Sequence, residues 1–166
     1  MDRLILLRHG KADADADAPS GQDFDRALTE RGRRDTLLVC KAMAEAGVYP
    51  DMVLVSPAAR AMETWQAAAT VFSRAAFKAV PALYDIAPHE ILDLARREGA
   101  AVGAVMVVGH NPGLGSLAAQ LARDVRAGSA LLVQIGMGFP TAAAAAIDFS
   151  PPAFSLYAPK ALGGGL

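Results

Sequence analysis

Four residues of this chain have the types and neighbours to do chemistry on an anion. Arg8 and His9 stand side by side after the apolar run Leu4 to Leu7, Arg60 follows Ser56 and Pro57, and His110 sits between Gly109 and Asn111. An arginine presents a planar, permanently charged fork that matches phosphate oxygens. A histidine set among arginines is pressed toward its neutral form, because nearby positive charge lowers its pKa. Neutral imidazole is a nucleophile. A cradle for an anion that also holds an unprotonated nucleophile suits attack on a phosphoryl group, whose transition state spreads negative charge over its outer oxygens. The same positive surroundings repel a cation, so His9 and His110 read as phosphoryl chemistry and not as metal ligands.

These residues can act together only if the fold brings them to one place. Short β-rich runs alternate with longer helical patterns along the chain. Arg3 to Leu7, Met52 to Val55, Phe77 to Pro81 and Val105 to Val108 read as strands. Thr29 to Ala46, with Thr29 as N-cap and Gly47 as stop, reads as a helix. So do Pro57 to Phe72, Pro88 to Arg97 and Pro112 to Ala122. Leu131 to Ile135 and Ala144 to Phe149 read as two closing strands joined by a hairpin-like turn over Gly136 to Thr141. The alternation predicts an α/β fold, a three-layer α/β/α sandwich around a mostly parallel sheet of about six strands, with an antiparallel edge strand at the end.

Ligands of open α/β sheets bind outside the carboxyl ends of the strands. Arg8, His9 and Gly10 follow the first strand, Ser56 and Arg60 the second, Tyr84 and Asp85 the weak third, and His110 and Asn111 the run Val105 to Val108. All are thus expected at one edge, with Gly10 allowing a tight backbone turn there. Ser56-Pro57 and Asn111-Pro112 each place an N-cap residue before a proline at a helix start. Such ends are ordinary caps, and they also favour anions.

The rest of the chain sets limits. Its 166 residues suit one domain, expected over 1–162, with Gly163-Gly164-Gly165-Leu166 as a mobile tail. Charged residues are 20%, hydrophobic residues 53% and the formal net charge is −1, the pattern of a globular protein without a global pull toward nucleic acid or a membrane surface. The one cysteine, Cys40, excludes a disulfide framework and fits a cytoplasmic setting. It falls in a helical pattern beside Leu37, Leu38 and Ala44 and reads as a small buried apolar residue. No segment approaches the length of a membrane span, and the N-terminus lacks the pattern of a signal peptide.

Some features imitate other functions. Asp13, Asp15 and Asp17 alternate as at the start of a calcium loop, but Ala18 stands where the loop needs glycine and Phe24 where it needs glutamate. The stretch reads as a solvated acidic loop. His89 follows Pro88 at a helix start and reads as a surface residue. Arg31, Arg33 and Arg34 read as a solvated helix face, or as a surface that docks a phosphoprotein.

Arg8-His9-Gly10 after an N-terminal strand, the stretch SPAARAMET (Ser56 to Thr64) and GHNP (Gly109 to Pro112) together resemble the motifs of the histidine phosphatase superfamily. The short length, the RHGK start, DFDRALTERGRRD (Asp23 to Asp35) and APKAL (Ala158 to Leu162) are most similar to the SixA-type phosphohistidine phosphatases. The resemblance implies His9 as the nucleophile that becomes phosphorylated, Arg8 and Arg60 as phosphate ligands, and His110 as the fourth member, stabilising the phosphoryl oxygens. It leaves Asn111 and Ser56 as rim contacts. Many relatives place a glutamate after the third strand as proton donor. Here Asp85 stands in that region, as the acid or as a turn residue before Pro88. Phosphohistidine releases imidazole, whose conjugate acid has a pKa of about 6.5, and needs a donor less than an alkoxide does. The implied activity is metal-independent removal of phosphate from a histidine on a partner protein, such as a phosphotransfer domain, without a cofactor. Val80 to Ile91 and Gly109 to Leu117 leave little room for a lid, which fits a protein substrate. A small-molecule phosphomonoesterase or mutase, and a module that binds phosphate without turnover, are the alternatives.

Overall fold

The computed structural model describes residues 1–165. Six strands form one sheet: β1 (Arg3–Arg8), β2 (Met52–Val55), β3 (Ala76–Ala79), β4 (Ala104–Gly109), β5 (Ala144–Phe149) and β6 (Pro152–Tyr157). Their order is β3-β2-β4-β1-β5-β6. The first four strands run parallel, β5 is antiparallel to β1, and β6 is antiparallel to β5. The antiparallel strand therefore lies one place in from the edge, and β6 closes the sheet.

Five α-helices cover the sheet among the described residues: α1 (Glu30–Glu45), α2 (Ala59–Ala69), α3 (Pro88–Glu98), α4 (Gly113–Asp124) and α5 (Ser129–Gly136). Side chains alternate across a strand, so each central strand feeds two cores. Ile5, Leu7, Met106 and Val108 pack with Val39, Met43 and Trp65 of α1 and α2. Leu4, Leu6, Val105 and Val107 pack with Ile91, Leu117 and Ile135 of α3, α4 and α5. The result is the expected three-layer sandwich. Among the described residues no helix is long and apolar enough to cross a membrane.

The C-terminal third departs from the sequence reading. Leu131 to Ile135 is not a strand but part of α5, with Leu131, Leu132 and Ile135 against the core and Val133 66% exposed. A short unbroken apolar run does not distinguish a strand from a helix laid on a sheet. The segment Gly136 to Thr141 consequently leads from α5 into β5 instead of joining two strands. The actual hairpin partner is β6, which the prolines at 151 and 152 disguise; proline is tolerated at the first residue of an edge strand. The tail also differs from expectation. The Gly165 amide donates to the Asp35 carboxylate at 3.0 Å and its carbonyl accepts from Arg31, so this segment is fastened to α1. Leu166 lies outside the described residues.

Candidate active site

The register of the sheet assembles the site. Arg8 of β1 is paired with Gly109 of β4, so His9 and His110 are both the first residue past paired strand ends. The His9 amide donates to the Gly109 carbonyl at 3.0 Å, and the Ser56 amide donates to the Val108 carbonyl at 3.0 Å. The two imidazole rings lie 5.2 Å apart between centroids. A cavity of about 300 Å³ opens here, lined by Arg8, His9, Lys11, Arg26, Arg60 and His110, with Ala12, Asn111 and Thr141 completing it.

His9 is buried, and its Nδ1 lies 2.7 Å from the Gly10 carbonyl. A carbonyl only accepts, so Nδ1 carries the proton and Nε2 keeps its lone pair. Burial lowers the His9 pKa to about 3, against the Gly10 hydrogen bond, with His110, Arg60 and Arg8 lowering it further. The ring is therefore neutral at physiological pH, chiefly because it is buried and only secondarily because of the charges that the sequence pointed to. His110 is likewise lowered to about 4, by burial and then by Arg60, with Asp23 opposing.

Arg60 reaches the site from the first turn of α2. Its Nε–H points at His9 Nε2 at 3.3 Å, while Nη2 donates to the Asp23 carboxylate at 2.8 Å and Nη1 to the Asp23 carbonyl. The same carboxylate accepts from Tyr84 Oη at 2.8 Å and from Arg26 at 2.9 Å. Burial alone would raise the Asp23 carboxyl, but the bonds from Arg26, Tyr84 and Arg60 outweigh it and hold the group well below the usual carboxylate range. Tyr84 in turn packs edge-on against His110, with centroids 5.6 Å apart. Asp23, Arg26 and Tyr84 thus form a brace around Arg60. The sequence reading quoted Asp23 and Arg26 inside a motif and gave them no role; the signal was an acid three residues before an arginine in an otherwise polar loop.

Thr64 is a second omission. Its fully buried hydroxyl accepts from the Gly10 amide at 3.0 Å and donates to the Arg60 carbonyl one turn earlier at 2.6 Å. It ties α2 to the backbone beside His9.

Arg8 stands on the other side. Its Nη1 donates to the Phe139 carbonyl at 2.9 Å, and the Asn111 amide group donates to the same oxygen at 2.9 Å. Burial, then Arg60, lowers the Arg8 pKa. Ser56 Oγ and His110 Nε2 are 2.7 Å apart, so Ser56 orients the second histidine from beneath. Arg8 Nε and His110 Nδ1 are buried without a partner among the described residues.

The expected helix starts lie slightly later than the sequence suggested. α2 begins at Ala59 and α4 at Gly113, so neither Pro57 nor Pro112 is a first helical residue. Asn111 Oδ1 still accepts from the Gly115 amide at 3.2 Å, and Ser56 Oγ meets the Ala58 amide at 3.5 Å. Asp85 is exposed, ends the short turn Pro81–Tyr84 and is not among the residues lining the cavity. The acidic loop faces Arg26, with Asp15 at 3.1 Å. No group of three or more potential metal ligands gathers among the described residues. Burial pushes the Cys40 thiol up to about 12, which suits its place in the core. Arg31, Arg33 and Arg34 are paired with Asp35, Glu63 and Glu30 on the surface of α1.

A family model described as the histidine phosphatase superfamily (branch 1) matches residues 4–101, and the chain belongs to that superfamily. Among the relatives, an uncharacterised chloroplastic protein of Arabidopsis thaliana is 32% identical over 129 residues, covering 72% of this chain and 58% of its own length. Among solved structures, the candidate phosphohistidine phosphatase SixA from Agrobacterium tumefaciens is 31% identical, with a TM-score of 0.77 over 93% of this chain and 94% of that one. A protein histidine phosphatase SixA complexed with tungstate is 26% identical, with a TM-score of 0.69 over 96% and 99%.

Proposed function

We propose that the protein is a metal-independent phosphohistidine phosphatase that works through a phosphorylated His9. The observation that carries this reading is the neutral His9 imidazole, with Nδ1 bonded to Gly10 and Nε2 facing Arg60 inside a cation-lined cavity. In the first step Nε2 attacks the phosphorus, a P–N bond to His9 forms, and the P–N bond to the substrate breaks, the substrate ring leaving as neutral imidazole with a proton on its other nitrogen while His9 keeps its Nδ1 proton on the Gly10 carbonyl. Arg8, Arg60 and His110 hold the phosphoryl oxygens. Arg60 redirects its Nε–H hydrogen bond from the lone pair of His9 to an arriving oxygen and keeps its proton, and Arg8 Nε and His110 Nδ1, without partners among the described residues, belong to residues with bonding capacity to spare. In the tautomer in which Ser56 donates to Nε2 of His110, the Nδ1 of His110 carries a proton that it can offer to the phosphoryl group. Asn111 and Ser56 fix this geometry. In the second step water attacks the phosphorus, phosphate departs and His9 is restored.

The leaving group favours phosphohistidine. An imidazole of pKa about 6.5 departs with less help than an alkoxide, and the carboxylate assigned as donor, Asp85, lies outside the cavity. That a SixA neighbour is complexed with tungstate, a tetrahedral oxyanion, supports a phosphoryl-binding reading of this cavity. The partner is a protein that carries phosphohistidine, such as a phosphotransfer domain.

The test is incubation with a histidine-phosphorylated protein and, separately, with a panel of phosphate esters. Acid-labile label trapped on the enzyme and absent from His9→Ala is expected, with the rate unchanged by chelators. Rapid turnover of esters with none of phosphohistidine would assign the site to a small-molecule phosphomonoesterase or mutase. Binding without turnover would assign it to a phosphate-binding module.

A further inference from the structure

The phosphoryl cavity has a neighbour. A groove of about 620 Å³ lies beside it, and Arg8 and Asn111 line both. Away from these two residues the groove is largely apolar: Met137, Phe139 and Pro140 from the connection between α5 and β5, Leu156 from β6, and Ala161 beyond it, with Lys160 as a second cation. Met137 is 86% exposed and Val133, one turn before it on α5, is 66% exposed. Side chains four apart share a helix face. The apolar surface therefore continues out of the groove along α5.

We propose that this groove docks an apolar patch of the partner protein beside its phosphorylated histidine while the phosphoryl group occupies the cavity at His9; the inference rests on the phosphohistidine reading above. Continuity with the phosphoryl cavity carries it. Arg8 and Asn111 both donate to the Phe139 carbonyl, so the residue that grips the phosphate and the wall of the groove are one rigid unit. A protein that delivers a phosphoryl group to Arg8 can lay its adjoining surface over this groove, which shares Arg8 and Asn111 with the cavity. Contiguous exposed apolar surface marks interaction sites, and methionine adapts its shape to what packs on it. The extension to Val133 exceeds what a single small leaving group would cover. A protein surface fills it.

The experiment compares the intact chain with Met137→Glu and Ala161→Arg on a histidine-phosphorylated phosphotransfer domain, on free phosphohistidine and on an apolar aryl phosphate. Both positions are exposed, and circular dichroism melting confirms that each variant is folded. The expected result is a loss of about tenfold in kcat/KM on the protein substrate, carried by KM, with free phosphohistidine within about twofold of the parent. Unchanged turnover of the protein substrate overturns the groove. Equal loss on both phosphohistidine substrates overturns it as well. Loss confined to the aryl phosphate assigns the groove to a small leaving group and overturns the protein partner. Absence of turnover of either phosphohistidine substrate by the parent chain overturns the proposed function itself, and that outcome is distinct from the others.

Discussion

The two sides of the phosphoryl cavity are built in opposite ways. On the α2 side every terminal nitrogen of Arg60 has a protein partner, and Asp23 collects bonds from Arg60, Arg26 and Tyr84. On the side formed by β1 and β4, Arg8 and His110 each keep one buried nitrogen without a partner among the described residues. The first side spends its bonding capacity on orientation, which fixes Arg60 beside the nucleophile before substrate arrives. The second side retains donors for the oxygens of the ligand. Preorganisation and unfilled capacity are both needed, since a donor counts in the transition state only if it need not reorganise to get there.

Substitutions can break this contrast. The largest expected effect is His9→Ala, which removes the proposed nucleophile and lowers kcat by about 10⁴-fold or more, read as loss of turnover and of acid-labile label. Arg8→Ala, on the side with free capacity, removes the Nε donor left for the ligand together with the bond to the Phe139 carbonyl, and lowers kcat/KM by about 10²- to 10³-fold. Asp23→Ala releases Arg60 without touching the phosphoryl group and costs up to about a hundredfold in kcat. Asp23→Asn keeps an acceptor for Arg60 and Tyr84 and recovers part of that loss. If Asp23→Ala proved harmless, the brace would have no role in orientation. The smallest effect belongs to Asp85→Asn, within about threefold on phosphohistidine and larger on esters, because an exposed carboxylate outside the cavity contributes little as a general acid. Equal losses on the two substrate classes would count against the leaving-group argument.

The pH dependence sharpens the same comparison. With His9 lowered to about 3 and His110 to about 4, kcat/KM should stay level from pH 8 to about pH 5 and fall only below that. A limb centred on the ordinary imidazole value of about 6.5 would show that His9 is not desolvated in solution. Stability follows with a definite sign. Below about pH 6.5 an unfolded chain protonates these histidines and the folded one does not, so stability falls as pH drops from there toward 4. Asp23 adds to the decline at lower pH. Its depressed carboxyl stabilises the fold above the unfolded value of about 3.9, and that contribution fades as pH falls toward its folded value. Urea denaturation at pH 7, 5 and 4 measures the trend.

Much of this was legible in the sequence, and the exceptions share a cause. The strands that hold His9, Ser56 and His110 were readable because buried parallel strands are short unbroken apolar runs that stop at glycine or a polar residue. The four central residues followed from their places after those strands. α5 was misread because its apolar run carries no periodicity of its own; its partners, α4 and β6, decide its state. Tyr84 was expected at this edge, but its meeting with Asp23 and Arg26 was not, because it depends on how the segment after His9 folds back toward the turn that ends in Tyr84, and long-range closure of that kind leaves no local pattern. Thr64 lay within a quoted motif, yet its hydroxyl gains meaning only when Gly10 is placed against it.

The glycine at the end of the nucleophile motif has a consequence for how this site can change over time. Its backbone does not adopt a left-handed turn; a Cβ on Gly10 would stand 2.7 Å from the carbonyl oxygen of Gly32, in the first turn of α1, and a Cβ on Gly32 would stand 2.2 Å from the Lys11 carbonyl. Two chain segments, more than twenty residues apart, cross backbone against backbone, with the Leu28 side chain packed beside both glycines. In hereditary terms the two glycines are a single character. Neither position can drift alone without prising the helix away from the segment that bears the nucleophile, so descendants of this chain must keep both or rebuild both together.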